Sequence, residues 1–408
     1  MSENFKPGNA DQVCEAVAWA FAEKRTVEVC GHGSKQALGQ PMGDMPVLDL
    51  SDLSGVSLYE PGELVLTAGA GTPLREIENL LAENAQRLAF EPLDMAAILG
   101  GTPGDGSLGG VIACNLAGPR RISAGAARDH ILGVKGVTGR GEAFKSGGRV
   151  VKNVTGYDMS KLMTGSYGTL GAITEITVKV LPRPEKAWTV LLLGLDDAAA
   201  TKALARAAGS SHEVSGLAHL PQTATATSAV SYVQDAGCSV TAIRVEGPGP
   251  SVEHRVASLR RELADFGDTE ELHSHNSAGL WQEIRDVRLL PKDALLWRLS
   301  VTPSEGARVV RDIGAAVSDA SMRVVYDWAG GLIWLSMAES PDARHQIVRG
   351  AVGENGGHAM LVRASRDVRE QVPVFQPQAK PVADLSRRIK EGLDPHGVFN
   401  PGRMVEGL

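Results

Sequence analysis

The sequence predicts an α+β protein of two domains, on three observations. Composition changes near Ala187, where glycine thins out and ordinary strand and helix lengths take over. From there to about residue 363 a β-α-β-β-α-β order occurs twice. Before it, three glycine-rich segments crowd into the first 171 residues of a chain with 47 glycines. A length of 408 residues suits two to three domains, each able to bury a core.

The elements follow in order. Residues 9–23 read as an amphipathic helix with Val13, Val17, Ala20 and Phe21 on one face. The strand TVEVC then opens into GHGSKQALG, and VLDLSDL and GVSLYEPGELVLTAGAG give short strands joined by turns. Thr72 as N-cap and Pro73 at the first position start a helix whose apolar stripe is Leu74, Ile77, Leu80 and Leu81. RLAFEP is strand-like, and in AITEITVKVLP the alternation of Ile176, Val178 and Val180 predicts a half-buried strand. The first β-α-β-β-α-β unit comprises strand 188–195, helix 196–208, strands 213–219 and 239–246, helix 250–265 and strand 269–275. LWQEIRDVRLL reads as a connecting helix. The second unit comprises strand 294–302, helix 304–318, strands 322–328 and 331–338, helix 341–353 and strand 358–363. Residues 380–392 form a last helix before a turn-rich tail.

Bulk properties exclude several classes. A net charge of −7 and a pI near 5.9 leave no electrostatic footprint for nucleic acid. The N-terminus has no apolar signal segment, and Val190–Leu195 falls far short of the roughly 20 apolar residues a bilayer span needs, so membrane association is expected only through a partner. Cys14, Cys30, Cys114 and Cys238 have no C-x-x-C spacing, which predicts reduced, packed thiols in a cytoplasmic protein and no metal or disulfide framework.

Glycine lets the backbone approach a ligand closely, and consecutive exposed amides make a concavity that attracts phosphate. One segment is Gly31-His32-Gly33-Ser34-Lys35, directly after a strand and carrying a hydroxyl and a cation. The second runs from Thr102 through Gly104, Asp105, Gly106, Ser107, Leu108, Gly109 and Gly110, followed by Asn115. The third is VKNVTGYDMSKLMTGSYGTLG, from Val151 to Gly171. Three such loops in one domain predict a single long, phosphorylated ligand. A nicotinamide Rossmann site is not expected: Gly69-Ala70-Gly71 has Leu74 where the third glycine should be. No P-loop motif is present.

GHGSKQALG, GDGSLGGVIACNLAG, RDHILGV, VKNVTGYDMSKLMTGSYGTLGAITEITV and the tail FNPG stand in an order that resembles the FAD-binding (PCMH-type) domain of the vanillyl-alcohol oxidase family. Within it, the chain is most similar to the FAD-binding E subunits of bacterial glycolate oxidases. The specific match covers about residues 20–185 and the last twenty. The resemblance implies a PCMH-type FAD-binding domain of two α+β subdomains over 1–185, a cap of two ferredoxin-like halves over 186–375, and a segment, 376–408, returning to the FAD domain. It implies that Gly31, His32, Gly33, Ser34 and Lys35 form the first pyrophosphate loop, and that Gly104 to Gly110 form a second loop near the diphosphate and the ribityl chain. Asn153, Thr155, Gly156, Tyr157 and Asp158 would lie beside the flavin, Ile173 at the adenine end, and Asn400 at the isoalloxazine.

Departures from the family pattern matter too. Members with covalent FAD carry histidine where this chain has Ser34, and His32 lies two residues earlier, so the FAD is expected to be noncovalent. The H-x-G-D-G-N-type metal and substrate motif of the catalytic subunits is missing. His273 and His275 in HSHNS are expected as solvated strand histidines, and His358 as a lone one. Arg285 and Arg288 could meet a carboxylate or simply decorate a surface helix. No catalytic residue is assigned. The leading expectation is an FAD-binding subunit of a glycolate oxidase complex that takes part in oxidising glycolate, a small 2-hydroxy acid, and relays electrons. Its partners would be a catalytic flavoprotein subunit and an iron–sulfur subunit. A self-sufficient 2-hydroxy-acid dehydrogenase and a structural subunit binding FAD weakly are the alternatives.

Overall fold

The structure, a computed structural model, describes residues 4–149, 156–353 and 356–406. The chain divides into two compact units: the first comprises Met1–Ala117, Gly125–Arg183 and Pro377–Leu408, the second Gly118–Ala124 and Pro184–Gln376. The α+β class expected from the sequence holds. Among the described residues no helix is long and apolar enough to cross a membrane.

The first unit is built on a five-stranded antiparallel sheet in the order Val56–Glu60, Val65–Gly69, Ala172–Lys179, Ile131–Val137, Ala143–Gly147. Its middle strand, Ala172–Lys179, is buried on both faces rather than half-buried. Ile176 and Val178 point one way, while Thr177 meets Thr67 on the other, hydroxyl to hydroxyl at 2.9 Å. Beside it lies a short parallel pair, Glu28–Cys30 with Val47–Asp49. The helix Ala10–Ala22, capped by the Asn9 carboxamide on the Gln12 amide (3.0 Å), buries Val13, Val17 and Ala20 against Val27, Leu48, Val137 and Phe399.

Two local expectations are corrected here. Thr72 is not the cap of Leu74–Glu83: its hydroxyl accepts from Gly55 N (3.0 Å) and donates to Gly69 O (2.8 Å), so it fastens a chain crossing, and Pro73 precedes the helix. Gly69 and Gly71 belong to the same crossing. A Cβ on either would lie 2.1 Å from Leu53 O or 2.4 Å from Leu50 O, so these glycines serve packing. Of RLAFEP only Arg87 lies in a strand, the two-residue Gln86–Arg87; Leu88–Phe90 are buried, but Glu91, with φ 50°, turns the chain away.

The second unit holds one eight-stranded antiparallel sheet. Its strands run across it as Thr269–Leu272, Lys186–Leu193, Val240–Gly247, Val214–Leu220, Arg323–Asp327, Leu332–Met337, Leu295–Ser300, His358–Arg363. Each half therefore has the order fourth, first, third, second of a ferredoxin-like unit, and the two second strands meet at the seam. Backbone pairing there rests on one register pair, His219 with Tyr326. Asp197 fastens it, accepting from the Tyr326 hydroxyl (2.5 Å) and facing His219 Nε2 at 3.2 Å. Fully buried Trp281 and Trp297 satisfy their indole N–H groups on Thr189 Oγ1 (2.8 Å) and Ala343 O (3.1 Å), as buried tryptophans must.

Boundaries differ where turn chemistry intervenes. The expected helix 341–353 starts only at His345, because Ala343 (φ 48°) and Arg344 (φ 51°) are left-handed and the Asp342 carboxylate ties the Arg344 amide at 3.0 Å. HSHNS is not a strand end. The strand stops at Leu272, His273 precedes the helix Ser274–Arg285, and His275 lies in its first turn. Both are exposed, and His273 stacks on Trp188 at 3.9 Å.

Candidate functional site

A cleft in the first unit gathers Val29–Gln36, Ser107, Gly109, Gly110, Cys114, Tyr167, Gly168, Ile173 and Arg403. The loop Gly31–Lys35 forms one wall. It leaves the end of the strand Glu28–Cys30 with Gly33 at φ +74°. Among the described residues, no hydrogen bond takes up the amides from Gly31 to Lys35. His32 Nε2 donates to Gly71 O at 2.7 Å, which turns the imidazole into the fold. Small residues keep the other wall close: a Cβ on Gly31 would sit 2.9 Å from Ser107 Oγ, and one on Gly110 3.0 Å from Lys35 Nζ.

Lys35 is the electrostatic centre of this cleft. Its side chain is folded inward, with the residue only 9% exposed, and its ammonium donates to Ser34 Oγ at 3.1 Å. Burial pushes the ammonium below its ordinary value; the nearby Cys114 and Asp94 raise it by less. The two thiols of the cleft are held protonated: burial pushes Cys30 up to about 12 and raises Cys114 as well. A second cation enters from the tail. Arg403 donates from Nη2 to Lys35 O (2.8 Å) and approaches Glu28 at 3.6 Å, while its buried Nε has no hydrogen-bond partner among the described residues.

The tail reaches this position through a buried anchor. The helix Lys380–Leu393 ends at Asp394, whose carboxylate accepts from the amides of Val398 and Phe399, both at 2.8 Å. Lys390 Nζ donates to that carboxylate (2.6 Å) and to Thr169 O (2.6 Å) and Phe399 O (2.9 Å). Val27 and Phe399 then form a parallel bridge. Asn400 follows at φ 42°, accepting from Val29 N (2.8 Å) and donating to Tyr167 O (2.9 Å). Its carboxamide staples the first loop's strand to the third glycine segment.

Of the residues singled out in the sequence, Gly31, His32, Gly33, Ser34, Lys35, Ser107, Gly109, Gly110 and Ile173 line the cleft. Thr102, Gly104, Asp105, Gly106, Leu108 and Asn115 do not. Several amides of that second segment serve the fold instead: Leu108 N donates to Thr72 O (3.0 Å), Gly109 N to Ala70 O (2.7 Å) and Gly104 N to Asp94 Oδ2 (2.9 Å). Asn115 accepts from Arg128 N at 3.1 Å. Gly156 and Tyr157 are exposed, and Asp158 caps the helix Met159–Met163 on Lys161 N (3.1 Å). Asn153 and Thr155 lie outside the described residues. Arg285 and Arg288 are committed to Asp286, at 2.8 and 2.9 Å. Arg403, Gln36, Tyr167 and Cys114 were not singled out; of these only Arg403 carried a readable signal, a cation directly after the matched FNPG.

Residues 4–147 match a family model described as an FAD binding domain. The chain is 35% identical over 399 residues to glycolate oxidase subunit GlcE of Escherichia coli (strain K12), covering 97% of each protein. The chain belongs to this family of FAD-binding oxidoreductases. D-2-hydroxyglutarate dehydrogenase of Xanthomonas citri pv. viticola is 36% identical over 193 residues, 46% of this chain and 38% of that protein. Among solved structures, p-cresol methylhydroxylase with substrate bound aligns over 99% of the chain and 88% of its own, at a TM-score of 0.75 and 12% identity. Alkyldihydroxyacetonephosphate synthase aligns over 97% and 75%, at 0.69 and 16%. These two share the fold.

The cofactor of this family is FAD, and the cleft suits its diphosphate. Unpaired amides, a buried ammonium and an orphaned guanidinium nitrogen are the groups a dianionic bridge satisfies. One pH dependence follows. Above its lowered folded value Lys35 is neutral in the free chain, while a bound diphosphate favours the ammonium. FAD binding in the window between that lowered value and 10.5, lysine's ordinary value, is therefore expected to take up a proton, and affinity to fall as pH rises through it. The free chain shows the opposite trend: its unfolded state holds more protons in that window, so its own stability rises with pH. Calorimetric titrations in two buffers of different ionisation enthalpy measure the uptake.

Proposed function

We propose that the chain is the FAD-binding subunit of a glycolate oxidase complex, taking part in the oxidation of glycolate to glyoxylate and passing electrons to partner subunits. The observation that carries the reading is the Gly31–Lys35 loop, with its free amides beside a buried lysine, in a chain aligned end to end with a glycolate oxidase subunit. The loop would hold the diphosphate, with Lys35 and Arg403 supplying positive charge, and Ile173 would pack at the adenine end. Asn400 would act by positioning the first strand against the third glycine segment. Bound FAD supplies the two-electron chemistry.

The attachment is noncovalent on this reading, because Ser34 occupies the position that carries the linkage elsewhere in the family and His32 is bonded to Gly71 O. Partners are a catalytic flavoprotein subunit and an iron–sulfur subunit, which the cysteine pattern of this chain does not replace. Acid precipitation of the purified chain is expected to release all of its yellow colour. A hundredfold excess of FAD over its Kd should stabilise the fold by about 2.7 kcal/mol. Glycolate turnover with an artificial acceptor is expected only when the partner subunits are present. Colourless protein whose melting ignores FAD would refute the cofactor role; full turnover by the isolated chain would refute the subunit role.

A further inference from the structure

A second cavity of the first unit, of about 280 Å³, lies on one face of the five-stranded sheet, and every strand contributes to it. It shares no lining residue with the cleft described above. Two adjacent rows of the strand register shape it. One row runs Thr67, Thr177, Gly133, Gly147. The threonines are buried and bonded hydroxyl to hydroxyl, and the glycines beyond them carry no side chain, so the row is a trough. At Gly147 (φ +71°) a Cβ would lie 2.1 Å from Leu132 O, so nothing larger can fill the trough there.

The next row runs Glu175, Lys135, Lys145. Lys135 Nζ pairs with Glu175 at 2.8 Å, and Ser57 Oγ donates to the same carboxylate at 3.3 Å. Lys145 stands directly opposite Lys135 on the neighbouring strand, a placement in which like charges destabilise a sheet. Among the described residues, no carboxylate pairs with Lys145 or with Arg149 at the rim. The cavity thus sets three cations against one carboxylate, and an anion between them would offset their repulsion. Two of these cations are lysines, point charges without the planar fork that matches a carboxylate. The threonine pair keeps one hydroxyl hydrogen free to donate. Such donors, spread over several directions, suit a phosphate with its three terminal oxygens.

We propose that this cavity binds the phosphate of a small phosphorylated metabolite. Lys135, Lys145 and Arg149 hold the anion, and Glu175 accepts from a hydroxyl on the carbon skeleton. The site lies outside the proposed cofactor site yet shares a strand with it, since Ala172–Lys179 carries both Ile173 and Glu175.

The test titrates glycerol phosphate into the full chain by calorimetry, at constant ionic strength and with FAD in excess to fill the cleft. Glycerol, the same skeleton without phosphate, is the control. Lys145 is exposed and does not line the cleft, so Lys145→Gln is expected to keep its melting temperature and flavin content. Glycerol phosphate should bind and glycerol should not, and affinity should fall on the order of tenfold in Lys145→Gln. Glu175→Gln should act in the opposite direction and bind the phosphate several-fold tighter, because the competing carboxylate is gone. A merely structural role for this row predicts no such gain. No binding by the parent chain, equal binding of the two probes, unchanged affinity in folded Lys145→Gln, or no gain in Glu175→Gln would each overturn the site. So would failure of Lys145→Gln to assemble with partner subunits when glycerol phosphate binds neither chain, which would make this face a protein interface.

Discussion

A chain carrying Lys35→Met is expected to purify without colour and yet, in the absence of flavin, to melt no lower than the parent. The two halves of that result have one cause. In the free chain the ammonium is buried beside Ser34 Oγ with its charge disfavoured, so a thioether of similar length relieves desolvation. In the complex the same ammonium would face a diphosphate, and its loss should cost about 3 kcal/mol, on the order of a hundredfold in affinity. Melting curves with and without added FAD separate the two effects. Stoichiometric flavin in Lys35→Met would remove Lys35 from the phosphate site. A large destabilisation without flavin would instead make it a structural residue.

Asp394→Ala should produce the largest loss of stability, about 3–5 kcal/mol, because it strands the buried Lys390 ammonium. It also leaves the amides of Val398 and Phe399 without their acceptor. Flavin affinity should fall with it, since Asn400 and Arg403 are placed by the turn that Asp394 holds. The double variant Lys390→Met/Asp394→Ala removes the stranded charge and should recover part of the loss, read as a shift in the denaturation midpoint. No recovery would mean that the two amides, and not the ion pair, carry the anchor.

Much of the architecture was legible because it repeats or alternates. The two ferredoxin-like halves announce themselves through strand and helix periods, and their shared sheet needs only that both halves bury the same face. The first loop was legible for another reason: glycine, a hydroxyl and a cation directly after a strand form a local unit. What stayed hidden depends on partners distant in the chain. Asn400 acts through Val29 and Tyr167, and Lys390 through Thr169, and no local pattern encodes either pairing. Glycine alone also misled, since Gly69 and Gly71 face backbone. HSHNS, short and polar, has no period of its own, so the packing of the Ser274–Arg285 helix decided its form.

The first unit is assembled from three separated stretches, the last of them beginning at Pro377. During synthesis the stretch from Pro184 to Gln376 leaves the ribosome before that last one exists. At roughly 5–20 residues per second, the nascent nucleotide fold must wait on the order of ten seconds or more, with Val27 and Val29 lacking the partners that Val398 and Asn400 will bring. Cofactor capture is thereby expected only once the stretch from Pro377 onward has been made, and a chain lacking residues 399–408 is expected to lose FAD, since it lacks the contacts of Asn400 and Arg403.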